Sequence, residues 1–340
     1  MKALLSVRPG GPDTLELTDV PTPQAGKGEL RVGVLACGIN YPDVLIIEDK
    51  YQFKPPRPFA PGAEISGEVE AIGDDVTDWT VGDRLIAVVP DGGLAEQMIL
   101  PAQAAIRMPK DANPIEGAAL IFTYGTTIHA LVDRGQLKAG ETLLILGAAG
   151  GIGLSAIEIG KALGATVVAA VSSGEKEAAA REAGADHTLV YGRGPFDKDA
   201  SKTLAQAFKN LVGPEGAHVI YDPVGGDYTE PALRSIAREG RYLVVGFPAG
   251  IPKLPLNLTL LKACDVRGVF WGAFVAREPK RHRQHVDQLL AWWREGRIRP
   301  RIDRIYQLAE GGGAIARLAS RSAIGKVVVQ VATTSGKRGI

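Results

Sequence analysis

Leu143-Leu144-Ile145-Leu146-Gly147-Ala148-Ala149-Gly150-Gly151-Ile152-Gly153 is an apolar run that closes on a cluster of glycines, with a helical pattern behind it. The run is short and apolar enough for a strand buried on both faces, and the glycines let the backbone turn tightly and approach a ligand where a Cβ would collide. After Gly153, the residues Ala156, Ile157, Ile159, Ala162 and Leu163 recur at helical spacing. Strand, tight turn and helix N-terminus together suit the pyrophosphate of a dinucleotide, because free amides and the helix dipole meet its charge. Gly147, Ala149, Gly150, Gly151, Ile152 and Gly153 are then the cofactor-binding positions.

The turn can be read in more than one frame. The strict dinucleotide fingerprint wants glycine at position 148, which is alanine; the spacing is instead Gly147, Gly150, Gly153. Gly147, Gly151 and Gly153 match the short-chain dehydrogenase pattern, but none of the eight tyrosines is followed by lysine four residues on, as proton transfer in those enzymes requires. No Gly-Lys-Ser/Thr follows the glycines, which excludes a P-loop. A glycine-rich turn with no ligand is the bland alternative.

With 340 residues and 45% hydrophobic content, two domains are expected. The formal charge is +1, giving no overall field for nucleic acid or an anionic membrane. Two cysteines, Cys37 and Cys264, make neither a disulfide framework nor a zinc cluster, and point to a reducing compartment. Residues 1–20 carry charged and turn residues in place of an apolar run, so a soluble, cytoplasmic protein is expected.

Short alternating or apolar runs at 3–7, 15–20, 29–36, 66–72, 84–89 and 96–100 predict an all-β first domain. An apolar stretch at 113–132 reads as a helix linking the domains. Strands are predicted at 142–147, 166–172, 187–191, 217–222, 241–247 and 265–271, with helices at 155–163, 176–183 and 203–211. This alternation implies a doubly wound parallel sheet, an α/β fold. A further amphipathic helix spans 281–294, with Val286, Leu289, Leu290 and Trp293 on one face, and residues 333–340 are expected to fray. The domains are read as 1–122, 123–262 and 263–340, the last holding the final strand and a return segment.

This organisation, with Gly38-Ile39-Asn40-Tyr41-Pro42-Asp43, Pro61-Gly62-Ala63-Glu64-Ile65-Ser66-Gly67, Val81-Gly82-Asp83-Arg84, Gly92-Gly93-Leu94-Ala95-Glu96 and Gly325-Lys326-Val327-Val328, resembles the medium-chain dehydrogenase/reductase superfamily. Within it, the resemblance is to the zinc-independent quinone oxidoreductase branch, and it covers nearly the whole chain. It implies a GroES-like catalytic domain, a Rossmann-type domain and a substrate cleft between them. Where zinc-dependent relatives carry ligand cysteine and histidine, this sequence has Asn40 and Ala63, which make no strong zinc site. The four-cysteine lobe is absent, and Cys37 lies too early to substitute. No metal is therefore expected, and the favoured substrate is already electrophilic, a quinone or an enone.

The second strand of the dinucleotide fold ends Ala170-Val171-Ser172-Ser173-Gly174, with no acid to bind ribose hydroxyls, and Lys176 follows. Serine can donate a hydrogen bond and lysine supplies charge, so NADPH is expected. The resemblance implies that Lys176, Tyr191 and Arg321 hold the 2′-phosphate beside Ser172 and Ser173, and that Asn40, Thr126, Gly246 and a Val269-Phe270-Trp271 strand surround the nicotinamide. Phe270 and Trp271 can equally pack a core or dimer interface, and His129 reads as a packed helix residue. Asn40 and Tyr51 are the candidate catalytic residues, Tyr51 standing where related enoyl thioester reductases carry an acidic tyrosine. A second tyrosine frequent in quinone reductases is Leu45 here, and an aromatic packed in a Pro-rich loop is the other reading of Tyr51.

Two competing functions rest on the basic residues from Arg277 to Arg304. They suit the phosphates of coenzyme A, as in an acryloyl or 2-enoyl thioester reductase, or RNA, with NADPH as a structural ligand; a solvated helix face is the simpler reading. The strand after Asp265 reads as an exposed sheet edge, and relatives pair there across a two-fold, so a homodimer is expected.

Overall fold

Glycine, proline and aspartate between alternating apolar positions yield seven strands in the first 110 residues: β1 (Lys2–Ser6), β2 (Leu15–Asp19), β3 (Glu29–Ile39), β4 (Glu64–Ile72), β5 (Arg84–Val88), β6 (Gln97–Pro101) and β7 (Ala105–Arg107). Helix α1 (Tyr41–Ile47) follows β3, and α2 (Pro114–Gly117) follows β7. The computed structural model describes residues 1–332, so the fraying expected at 333–340 lies outside the described residues.

The rhythm then changes. Helix α3 (Ile121–Ile128) precedes β8 (Thr142–Ile145), α4 (Gly151–Ala162), β9 (Thr166–Val171), α5 (Gly174–Glu182), β10 (His187–Val190), α6 (Lys198–Val212) and β11 (Ala217–Asp222). There follow α7 (Thr229–Leu233), β12 (Ile236–Val244), α8 (Asn257–Lys262), β13 (Asp265–Gly268), α9 (Trp271–Arg277) and α10 (Pro279–Arg294). The chain ends its described part with β14 (Ile302–Gln307), α11 (Gly311–Ala319) and β15 (Lys326–Gln330).

Two compact units result: Met1–Phe122 together with the chain from Pro300 onward, and Thr123–Arg299. In the first, seven strands form one sheet in the order β14-β15-β3-β4-β5-β7, with β6 also on β3, while β1 and β2 form a separate antiparallel pair. Strand β15 brings the late chain antiparallel to β3, Val327 opposite Ile39 and Val328 opposite Gly38. The core beneath includes Leu30, Val32, Ile65, Leu85 and Val329.

In the second unit six parallel strands run β10-β9-β8-β11-β12-β13. The chain starts centrally at β8, steps outward to β10, then returns beside β8 and steps outward the other way. Crossovers of one hand then put helices on both faces, which defines a doubly wound sheet. Its central residues Leu144, Val168 and Ile220 are fully buried, as a two-faced parallel sheet demands.

Three expectations need correction. The stretch 113–132 is not one helix: α2 and α3 are separated at 118–120, and α3 continues as a π-helix over His129–Arg134. The Ala118 carbonyl in that break lies against Gly38, where any Cβ would collide. The run 265–271 is not one strand, because the ladder to β12 ends at Val244 opposite Gly268. After one more hydrogen bond, from Val269 N–H to the Val244 carbonyl at 2.9 Å, the chain turns into α9, Phe270 preceding its first residue, Trp271. On α10 the buried face is His285, Val286, Leu289 and Trp292, so the helical period selects Trp292 in place of Trp293.

Candidate functional site

The glycine turn sits at the C-terminal end of β8, beside β11, where the strand order reverses; ligands of open α/β sheets bind at such switch points. Gly147 has φ +59°, and a Cβ there would lie 2.7 Å from Val224 Cγ2, in the loop after β11. At Gly153 a Cβ would fall on the Gly147 carbonyl and lie 2.6 Å from Ala148 Cα, so glycine lets α4 seat on the turn. Gly150 is the N-cap of α4 and has no side chain with which to satisfy the first amides. The helix therefore presents uncapped N–H groups and its dipole, an arrangement that favours a phosphate.

Neighbouring loops hold this turn in place. The Tyr191 hydroxyl, buried after β10, interacts with the Gly147 backbone, and its burial raises its pKa well above the ordinary value. Asp222, closing β11, accepts from Val224 N–H and Gly225 N–H at 2.8 Å each, from the Thr229 hydroxyl at 2.9 Å and from the Tyr242 hydroxyl at 2.6 Å. Its main-chain oxygen accepts from Gly246 N–H at 3.3 Å, which places Gly246 at the same strand ends. Asp222 went unsingled in the sequence; Asp-Pro-Val-Gly-Gly after an apolar run is its legible signal, an aspartate that turns the chain on its own backbone.

At the end of β9, Ser173 caps α5 by accepting from Lys176 N–H, and Lys176 Nζ donates to Ser172 Oγ at 3.3 Å. These three residues form one group on the strand adjacent to the glycine turn. Glu175 and Glu177 lie in the first turn of α5, and Glu177 is engaged by Arg181 and Thr188. Thr126 is buried on α3. Trp271 is buried too, its ring against Gly125, whereas Phe270 is 66% exposed. His129 stacks on Phe274 at 4.0 Å and bonds Asp133 at 2.7 Å, a packed position. Of the basic cluster, Arg281 pairs with Asp133 at 2.5 Å and Arg297 with Glu295 at 3.9 Å.

Asn40, Tyr51 and Arg321 belong to the other unit. Arg321 follows α11 in a left-handed conformation, φ +56°. Asn40 is 5% exposed and all its side-chain polar groups are engaged: Nδ2 donates to Glu64 Oε2 at 3.0 Å and Gly38 O at 3.2 Å, while Oδ1 accepts from Lys326 Nζ at 2.6 Å. Lys326 also donates to Glu64 Oε2 at 2.8 Å, and Glu64 Oε1 accepts from Phe122 N–H at 2.8 Å. Asp43 accepts from Asn40 N–H and Gly62 N–H; burial nevertheless raises its carboxyl to about 6. Cys37 is fully buried beside this group, and burial pushes its thiol well up. Tyr51 is half-buried against the first unit's core, and burial, then the charge of Asp43, raises its hydroxyl pKa.

A GroES-like unit joined to a six-stranded dinucleotide-type unit defines the class. Residues 26–110 match the alcohol dehydrogenase GroES-like domain family, and residues 151–292 match the zinc-binding dehydrogenase family. The chain is 38% identical to quinone oxidoreductase-like protein 2 of Bos taurus over 305 residues, covering 89% of this chain and 85% of that one. It is 33% identical to a quinone oxidoreductase of Pseudomonas aeruginosa, covering 94% and 96%. A mycobacterial protein solved in complex with NADPH superposes with a TM-score of 0.89 at 28% identity, covering 97% of this chain and 100% of that one. The chain belongs to the quinone oxidoreductase branch of the medium-chain dehydrogenase/reductase superfamily. It is an oxidoreductase.

Proposed function

We propose that the protein transfers a hydride from NADPH to a quinone or an α,β-unsaturated carbonyl compound without zinc, and that it works as a homodimer. The observation that carries the metal-free reading is the Lys326 ammonium, seated on Asn40 Oδ1 and Glu64 Oε2. A cation already occupies these oxygens, Ala63 offers no ligand atom, and the Cys37 thiol is held protonated by burial. Such a donor set does not fit zinc, which takes thiolate, imidazole and carboxylate.

NADPH would supply the hydride. The amides at the start of α4 would hold its pyrophosphate, Ser172, Ser173 and Lys176 its 2′-phosphate, and Tyr191 would brace the turn. Asn40 has no donor left over, so its role is to hold the wall of the substrate site through Lys326 and Glu64. Negative charge develops on the acceptor oxygen, and Tyr51 would meet it with a proton. That hydroxyl is protonated at neutral pH with or without its upward shift, so it carries the proton to give, and the shift makes it a weaker acid than an unburied tyrosine. For the dimer, support comes from the edge strand β13 and the exposed apolar residues Phe247, Leu260, Val266 and Phe270 around it.

The test follows oxidation of NADPH at fixed enzyme against a quinone, a 2-alkenal and an acryloyl thioester, before and after chelation. Turnover of the first or second, unchanged by chelator, is expected; turnover of the thioester alone would replace the substrate class. No turnover of any, or loss on chelation, would overturn the reading. Tyr51→Phe should lower turnover and leave NADPH affinity nearly unchanged.

A further inference from the structure

One carboxylate oxygen, Oε2 of Glu158 on α4, accepts from the Tyr124 hydroxyl at 2.6 Å and from Arg299 N–H at 3.1 Å. The chain leaves the first unit between Phe122 and Thr123 and returns to it between Arg299 and Pro300. Tyr124 is thus the second residue after one crossing, and Arg299 is the last residue before the other. A second pair lies alongside: Thr127 Oγ1 is 2.8 Å from Ser155 Oγ and 2.9 Å from the Tyr221 hydroxyl, and Ser155 Oγ donates to the Ile152 carbonyl at 2.9 Å. Tyr124 and Thr127 are three apart on α3, as are Ser155 and Glu158 on α4. Residues so spaced share a helix face, so the two pairs form a polar ladder between antiparallel helices.

We propose that Glu158 is a positioning residue that ties both chain crossings to the helix that opens at the glycine turn, so that the crossings and that helix keep one register. The groups facing it are the Tyr124 hydroxyl from α3 and the Arg299 amide from the segment after α10. Lys161, on its own helix, is engaged by Asp186 at 2.7 Å, and Arg297 donates to the Ala162 carbonyl at 3.0 Å. Among the described residues no cation pairs with Glu158, so burial outweighs the two hydrogen bonds and pushes its carboxyl up from 4.5 to about 7. Because the folded value lies above the ordinary one, the hydrogen-bonded arrangement around Glu158 has its full stability below 4.5 and loses it as pH rises through about 7. Opening at the crossings therefore becomes easier through neutrality.

Amide hydrogen exchange over the segment containing Arg299, corrected for intrinsic rates and measured on the full chain without substrate, reads this tie directly. Protection should fall about tenfold between about pH 6 and pH 8 in the wild type, following the linkage of one proton. Glu158→Gln keeps an acceptor oxygen without the charge and should flatten that dependence. Glu158→Ala should lower protection at every pH; should it fail to fold, the comparison with Glu158→Gln decides alone. Wild-type protection independent of pH, or a pH dependence retained in Glu158→Gln, would overturn the proposal. The readout needs no turnover, so it stands or fails separately from the assigned chemistry.

Discussion

Lys326 and Asn40, 286 residues apart in sequence, meet in a buried 2.6 Å hydrogen bond between the ammonium and the amide oxygen. The same ammonium pairs with Glu64 at 2.8 Å, with side-chain exposures of 4% and 1%. Strand β15, lying antiparallel on β3, delivers Lys326 to this place, so the late chain completes a cluster whose other side chains, Asn40 and Glu64, come from the first 64 residues.

Removing that cation should be costly. Lys326→Met leaves the Glu64 carboxylate buried without its counter-ion, a loss of about 3–5 kcal/mol. Urea denaturation should show a much lower midpoint, and adding Glu64→Gln to Lys326→Met should restore most of the difference. Additive losses in the double variant would mean that the pair is not coupled.

The glycine turn makes a contrast between two positions. Gly153→Ala sets a Cβ into the Gly147 carbonyl and 2.6 Å from Ala148 Cα, both rigid backbone. The nearest atom to a Cβ at Gly150 is the Gly147 carbonyl at 3.7 Å, an ordinary contact. NADPH affinity measured by fluorescence titration should fall tenfold or more, on the order of 1.4 kcal/mol, in Gly153→Ala. Gly150→Ala should fall well short of that, and equal losses would contradict the packing account.

How much of this was legible depends on what each residue answers to. The strand–glycine–helix unit was readable because its signal is local: apolar β8, a turn only glycine permits, an apolar α4. The apolar character of Val269-Phe270-Trp271 fits strand or helix equally, and what decides is the end of the β12 ladder, a non-local fact. Helix α1, at seven residues, is too short to declare a period; its start is set by Asp43, whose carboxylate accepts from Asn40 N–H at 2.7 Å while its own N–H donates to the Asn40 carbonyl at 3.0 Å. The buried roles of Glu158 and Lys326 have no local signal, because burial of a lone charged residue leaves no mark in its neighbours' pattern.

Cofactor choice is testable at Lys176. Its ammonium reaches Ser172 Oγ at 3.3 Å, and no carboxylate closes β9. Lys176→Ala should weaken NADPH binding by about tenfold, in the range of a hydrogen bond to a charged group, and leave NADH binding unchanged. The wild-type preference should also shrink as salt is added, since a partly exposed lysine–phosphate contact is screened. An equal loss for both dinucleotides would assign Lys176 to holding the loop.

The last prediction concerns β13. Among the described residues its outer edge carries no partner strand, and Val266 on it is 38% exposed, with Leu260, Leu261 and Phe270 exposed nearby. An edge of this kind beside apolar side chains is a template for a second copy; the two charges on β13, Asp265 and Arg267, are paired with one another, and a lysine at Val266 adds one that is not. Val266→Lys should therefore shift the protein from dimer to monomer in sedimentation velocity while the fold, read by circular dichroism, is kept. A wild-type protein that sediments as a monomer at micromolar concentration would remove the dimer. A dimer that survives Val266→Lys would move the interface away from this edge.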